Sequence, residues 1–579
     1  MRRQAQDHVR NIASGTRLVT RIRIAFWLSA VTLGALRAWS EMHSMRIDDG
    51  ISYLDIADAY LRRDWHNAIS PYWSPLYSWI LALSLAVARP SPYWESAVVH
   101  AANFGVYIAA AISFEFLLAQ LARYNLQIGD PDDVNQKLPD WALTGFAYLL
   151  FLWCSLKLVS LERVSPDMSV MAIVCLAVGI LLRIRTGDEK RCASLAWAAL
   201  LGLVLGIGYL AKTAMLPLAF GFLAVIMTGP GRLRRKGLQI GVALVTLLVV
   251  AAPFVMAISR AKGHLTFGES GRLNYIWFVN CNAGYGPVHP PRELVRGLGV
   301  YEFAGPVGGS VPSWFDPSYW TEGVKPRFDP KQQLKRLVWS ANSYYDMFAT
   351  SPFGACILMC ICALLFAGYA TGARGGLAKL ANEYLPLTLP GVFGLAAYAL
   401  VLVKSRYVAP FALLLGVAAF SSLRLRDTQR ALLVSSVLVA SALAFALTTA
   451  AVSVRQARMQ LPEHPDWQTA EHLSRLGVQH GDKVAVVGWR GYWARIARVR
   501  LVVEMQPECQ LSHGDRHLED YVWSFWAADR NTRQRVLDAM AGAGVTAVVA
   551  DRVPPLVDTT GWIRLGSTDR YVWLVKRKP

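Results

Sequence analysis

Two adjacent carboxylates stand in the segment Arg46-Ile47-Asp48-Asp49-Gly50-Ile51-Ser52-Tyr53, directly after an apolar run. Side by side they repel each other, so a divalent cation or a cationic group should offset the repulsion. A carboxylate held in that way can act as a general base. The plainer reading is a solvated helix start, where acids favour the macrodipole. A second acidic site, Glu162 and Asp167, falls in a short turn between apolar runs, and Ser165-Pro166-Asp167 also has the form of a helix cap. Two cations also stand at the ends of apolar runs. Lys212 sits in a tight turn between apolar segments, and Arg406 follows Lys404 at the end of another. Charges retained there need a reason, which is snorkelling, pairing with an acid such as Glu162, or convergence on one anion. Snorkelling suits Lys404. A planar guanidinium and a point-charge ammonium both suit phosphate.

The elements that must position these residues are apolar. Of 579 residues, 54% are hydrophobic, too many for a soluble domain of ordinary composition. Runs long enough to cross a hydrocarbon layer of roughly 30 Å recur along the chain. They predict eleven spans, near 24–44, 97–120, 141–158, 167–184, 195–211, 214–229, 238–258, 352–371, 383–403, 407–422 and 431–453. The formal charge of +19 comes from Lys and Arg dispersed in short turns, with no nucleic-acid-binding motif, which argues against a nucleic-acid partner. If the spans alternate, the basic turns around Arg21, Arg183, Arg234 and Arg424 share one side. That side is the cytoplasmic one, and the first apolar run is an uncleaved anchor.

This places the N-terminus in the cytoplasm of a bacterial inner membrane and three large segments outside, 45–96, 259–351 and 454–579. Residues 50–64 read as an amphipathic interfacial helix, with Leu54, Ala57, Tyr60 and Leu61 on one side and Asp55, Asp58 and Arg62 on another. Ser74 to Arg89, apolar over only about sixteen residues, suits an interfacial or re-entrant helix; if it spans instead, every later orientation inverts. The segment 259–351 is rich in aromatics, including Trp277, Trp314, Tyr319 and Tyr345, which suit sugar rings and the lipid interface equally. After a membrane module over 1–453, residues 454–579 read as a small α/β domain. It contains a helix at 466–476, strands at 483–487, 501–503 and 546–550, and a second helix near 533–540. Its Gly488-Trp489-Arg490-Gly491 lacks the spacing of a dinucleotide loop. Cys356, Cys360 and Cys362 fit span packing rather than a metal site. Cys281 and Cys509, on the oxidising side, permit one disulfide.

Asp48-Asp49-Gly50-Ile51-Ser52-Tyr53, Asp64-Trp65 and Ser74-Pro75-Leu76-Tyr77 together resemble the first outward loop of the C-type glycosyltransferases. These include protein O-mannosyltransferases and bacterial lipid A aminoarabinose transferases. Many members have a His and two prolines where this chain has Ser74-Pro75-Leu76. Gly208-Tyr209-Leu210-Ala211-Lys212-Thr213 and Ser405-Arg406-Tyr407-Val408-Ala409-Pro410 resemble two further elements of the family. The likeness covers roughly residues 24–430. It implies a mostly α, polytopic helix bundle that transfers a sugar from a polyprenyl-phosphate donor to a lipid, glycan or protein acceptor, with inversion. Asp48 or Asp49 would be the base, and the other would orient it or hold a metal. Lys212 and Arg406 would bind the donor phosphate, while Glu162 and Asp167 would help with metal or acceptor. A divalent ion is the candidate cofactor. The competing expectation is a multi-span transporter or flippase, against which stands the lack of an inverted repeat in the sequence.

Overall fold

The structure is a computed structural model that describes residues 2–45, 48–128, 139–186, 191–280, 287–303, 305–350, 383–422, 447–455, 464–505, 524–551 and 553–575, with a few isolated positions between them. In hydrocarbon a backbone must satisfy its own hydrogen bonds, and the apolar runs accordingly form helices. Among the described residues six are long and apolar enough to cross a membrane: Arg17–Ser40, Glu95–Gln127, Asp140–Val159, Asp167–Thr186, Cys192–Ala211 and Leu233–Lys262. Three other predicted spans form the shorter apolar helices Met215–Thr228, Leu385–Ala399 and Ser405–Ser421. The 14 residues of Met215–Thr228 rise only about 21 Å, short of a full crossing. The expected span near 352–371 lies outside the described residues, as does most of that near 431–453, so eleven crossings are not established.

Within the bundle, Glu95–Gln127 packs along Asp167–Thr186, and Arg191–Ala211 along Leu233–Lys262. The second pair depends on Gly202-x-x-x-Gly206. A Cβ on Gly202 would lie 2.1 Å from the Ala243 carbonyl oxygen, so only hydrogen fits between the two backbones. Cys154 and Cys175 are buried among these helices as free thiols, and Cys192 is exposed. The other five cysteines of interest, Cys281, Cys356, Cys360, Cys362 and Cys509, lie outside the described residues.

The segment between the first two long helices folds as Asp48–Leu61, the single turn Trp65–Ala68, and Pro75–Ala88. Leu54 and Ala57 are buried as the pattern predicts, but Leu61 is exposed. Asp55, expected on the solvated side, is buried instead. The reason is Arg495, a residue of the C-terminal part, whose guanidinium lies 2.6 Å from Asp55, 2.8 Å from Asp58 and 2.8 Å from Glu95. Burial pushes the Asp55 carboxyl up, and the Arg495 charge opposes that shift.

The C-terminal part holds its expected elements, the helices Pro465–Arg475 and Arg530–Gly542 and the strands Lys483–Val487, Arg500–Met505 and Ala547–Ala550. The three strands are parallel, and both faces are packed, which explains their unbroken Val and Ala runs. Antiparallel Tyr571–Leu574 and Ile563–Arg564 extend one edge. The other edge is extended by Val300–Glu302 and Arg292–Val295, which come from the large loop. One seven-stranded sheet is thus built from both sides of residue 454.

His464 sits where this sheet domain meets the end of the first helix. Its Nδ1 accepts from the Trp467 amide at 3.2 Å, capping Pro465–Arg475, and its ring lies 5.0 Å from that of His43 and 5.3 Å from Tyr93. Burial pushes His464 down to about 4.

Two outcomes follow. Gly202→Ala forces apart two backbones that cannot yield and should cost about 1–3 kcal/mol, read as a lower melting temperature in detergent. His464 takes up a proton near pH 6.5 only when the chain unfolds, so stability is full above that pH and declines as pH falls towards about 4. Melting curves between those limits should show the decline, and His464→Asn, which keeps a capping acceptor, should flatten it.

Candidate active site

Four helix ends converge on one buried cavity of about 490 Å³. Asp49 lies in the first turn of Asp48–Leu61, and Asp167 opens Asp167–Thr186. Lys212 follows the last residue of Arg191–Ala211, its amide donating to the Gly208 carbonyl at 2.9 Å. Arg406 lies in the first turn of Ser405–Ser421. That helix start is pinned by Ser405 Oγ, which donates to the Leu158 carbonyl at 2.9 Å. Leu158 belongs to Cys154–Val159, a π-helical turn whose wider winding breaks the regular backbone pattern at the end of Asp140–Trp153.

The four side chains form an alternating line of charge. Arg406 Nη2 donates to Asp49 Oδ2 at 2.9 Å, and its Nε lies 3.3 Å from Asp167 Oδ2. Asp167 Oδ1 accepts from Lys212 Nζ at 2.7 Å, and its Oδ2 also accepts from Ser165 Oγ at 2.9 Å. Asp167 is only 3% exposed and Arg406 10%, so neither charge could persist there alone. Tyr407 supports both cations. Lys212 Nζ stands 3.3 Å from the centre of its ring, and its hydroxyl lies 3.2 Å from Arg406 Nη2. Arg406 Nη1 and Nε are buried with no hydrogen-bond partner among the described residues, so the guanidinium keeps unsatisfied donors at the site.

The structure therefore brings Asp49, Asp167, Lys212 and Arg406 together and separates Glu162 from them. Glu162 pairs with Arg37 of the first helix at 2.5 Å and does not line the cavity. The Asp48 side chain lies outside the described residues. Sequence reasoning missed Tyr407, although it stands beside Arg406. From the aromatic loop, Trp277 and Trp314 line the cavity, whereas Tyr319 stacks on His289 and Tyr345 is exposed. Trp314 Nε1 donates to Asp49 Oδ1 at 3.2 Å.

A divalent ion fits poorly here. Each cavity carboxylate already faces a cation, and among the described residues no three acidic, imidazole or thiol groups converge. The arrangement can instead hold an anion between Lys212 and Arg406 while leaving a carboxylate beside it.

This helical bundle with a sheet domain has the fold of ArnT. The chain is similar to ArnT from Cupriavidus metallidurans in the apo state, at 13% identity and a TM-score of 0.55, over 96% of this chain and 97% of that one. The same protein bound to undecaprenyl phosphate matches with a TM-score of 0.54 and 11% identity, over 95% of this chain and 97% of that one. No protein-family model and no curated protein matches the sequence.

Removing one carboxylate tests the line of charge. Asp167→Asn takes the acid from between Lys212 and Arg406, leaving only Asp49 on the far side of Arg406, and should destabilise by about 3–5 kcal/mol. Asp49→Asn, at one end of the line and 17% exposed against 3% for Asp167, should cost clearly less. Equal melting temperatures for the two variants would contradict the alternation.

Proposed function

We propose that this protein is an integral membrane glycosyltransferase that moves a sugar from a polyprenyl-phosphate donor to a hydroxyl of a lipid, glycan or protein acceptor. The observation that carries the reading is the buried line Asp49–Arg406–Asp167–Lys212 at the cavity, together with the unsatisfied donors on Arg406. The ArnT fold supports it, since a structure with that fold was obtained with undecaprenyl phosphate.

The donor phosphate enters beside Arg406 and Lys212 and competes with the carboxylates for their N–H groups. Asp49 then has an oxygen free to accept a proton. The acceptor hydroxyl attacks the anomeric carbon, the bond from that carbon to the phosphate oxygen breaks, and the hydroxyl proton passes to Asp49. Configuration inverts, because attack and departure lie on opposite faces. The leaving phosphate carries its charge already and needs no general acid, only the two cations, whose effect is strong in a poorly hydrated cavity. Asp167 keeps those cations charged and spaced when the site is empty. The cavity opens on the outward side of a bacterial inner membrane, with the N-terminus in the cytoplasm, as the basic turns require.

Transfer of radiolabelled sugar in membranes depleted of soluble nucleotide sugars tests the activity. Asp49→Asn should lower it by roughly 100-fold or more, with normal insertion. Arg406→Lys, which keeps the charge but loses the fork, should also impair it. Full transfer by Asp49→Asn would end the general-base assignment. The topology is checked with an impermeant thiol reagent on intact cells. A cysteine at the exposed Leu556 should react and one at the exposed Leu233 should not, and the reverse pattern would place the cavity on the cytoplasmic side.

A further inference from the structure

Trp314 is where the large loop, the sheet domain and the cavity meet. Its indole N–H holds Asp49 Oδ1 at 3.2 Å while Arg406 holds Oδ2 at 2.9 Å. Each carboxylate oxygen thus has a donor, and once a phosphate takes the Arg406 N–H groups the indole is the one of these two donors that still sets the carboxylate's direction. The backbone of Trp314 grips the same helix a turn further on. Its carbonyl accepts from Ser52 Oγ at 3.1 Å and from Trp73 Nε1 at 3.2 Å. The ring itself stacks on Trp277 at 5.8 Å and 27°.

The sheet domain reaches this residue by two routes. Arg490 places its guanidinium carbon 5.4 Å from the centre of the Trp314 ring, and its Nε donates to Glu504 on the strand Arg500–Met505. That same strand fixes the loop ahead of Trp314. The Leu501 amide donates to the Ser310 carbonyl at 2.9 Å, and the Phe303 amide to the Val502 carbonyl at 2.7 Å. The strand Arg500–Met505 and the loop that seats the indole are thus joined by backbone hydrogen bonds.

We propose that Trp314 is a positioning residue for Asp49, and that the C-terminal sheet domain acts on the site through it by way of Arg490 and Glu504. The proposal rests on Asp49 being the base. It gives the domain a role in setting the base's direction, which a module that only bound acceptor would not have.

The test measures kcat and KM for a polyprenyl-phosphate sugar in the full-length protein in detergent, with folding followed by melting curves. Trp314→Phe keeps the ring and removes the N–H, and should lower kcat roughly 10-fold while leaving the donor KM unchanged. The double change Arg490→Met with Glu504→Gln removes both charges together and should lower kcat by a smaller factor. In the Trp314→Phe background it should lower kcat no further, since the domain would have lost its handle. A raised KM with unchanged kcat for Trp314→Phe would make the indole a sugar platform and overturn the proposal, as would fully multiplicative losses in the combined variant. If Trp314→Phe does not fold, the Arg490/Glu504 change alone decides, through a fall in kcat at constant KM or its absence. Asp49→Asn run alongside separates the two ideas: full transfer there removes the base assignment itself, whereas lost transfer there with a normal Trp314→Phe removes only the positioning role.

Discussion

Everything at this site depends on keeping four charges out of water without leaving any of them alone. An isolated buried charge costs far more than folding can supply, so the acids and cations must alternate and must touch. Asp167, the most buried, is flanked by Lys212 and Arg406, and Asp49 completes the second side of Arg406. A hydrophobic filling of the same volume would commonly be at least as stable. What the charged line provides, and a hydrophobic one cannot, is a pair of cations whose carboxylate partners an incoming anion can replace.

That requirement constrains the scaffold. The four groups come from four separate helix ends, and an error of an ångström in any one would leave a charge unpaired. The structure answers with close backbone packing, as at Gly202 against Ala243, and with side-chain pins at the helix starts, such as Ser405 on Leu158. The π-helical turn Cys154–Val159 belongs to the same solution, since an irregular turn there supplies the carbonyl that anchors the Arg406 helix.

A second, separate set of charges ties the sheet domain to the bundle. Arg495 meets Asp55, Asp58 and Glu95, so the helix that carries Asp49 on one side carries the domain's anchor on another. Together with the strands that the large loop adds to the sheet, this joins the two parts of the chain mechanically.

Much of this was legible in the sequence because hydrocarbon and periodicity act locally. Long apolar runs had to be helices, the parallel strands announced themselves as Val and Ala runs, and cations kept at helix ends had to have partners. Those charges, together with the resemblance to the C-type glycosyltransferases, made Asp48, Asp49, Glu162, Asp167, Lys212 and Arg406 the candidates before any fold was known. What a single chain cannot display is which distant groups meet. Glu162 looked equivalent to Asp167 in its turn, yet the first helix brings Arg37 to it and removes it from the cavity. Asp55 looked solvated on the polar side of its helix, yet Arg495, more than four hundred residues later, buries it. The strands Arg292–Val295 and Val300–Glu302 are too short to reveal themselves and exist only because Arg500–Met505 offers an edge. Charge pairing and sheet edges depend on through-space partners, and so only the tertiary structure could decide them.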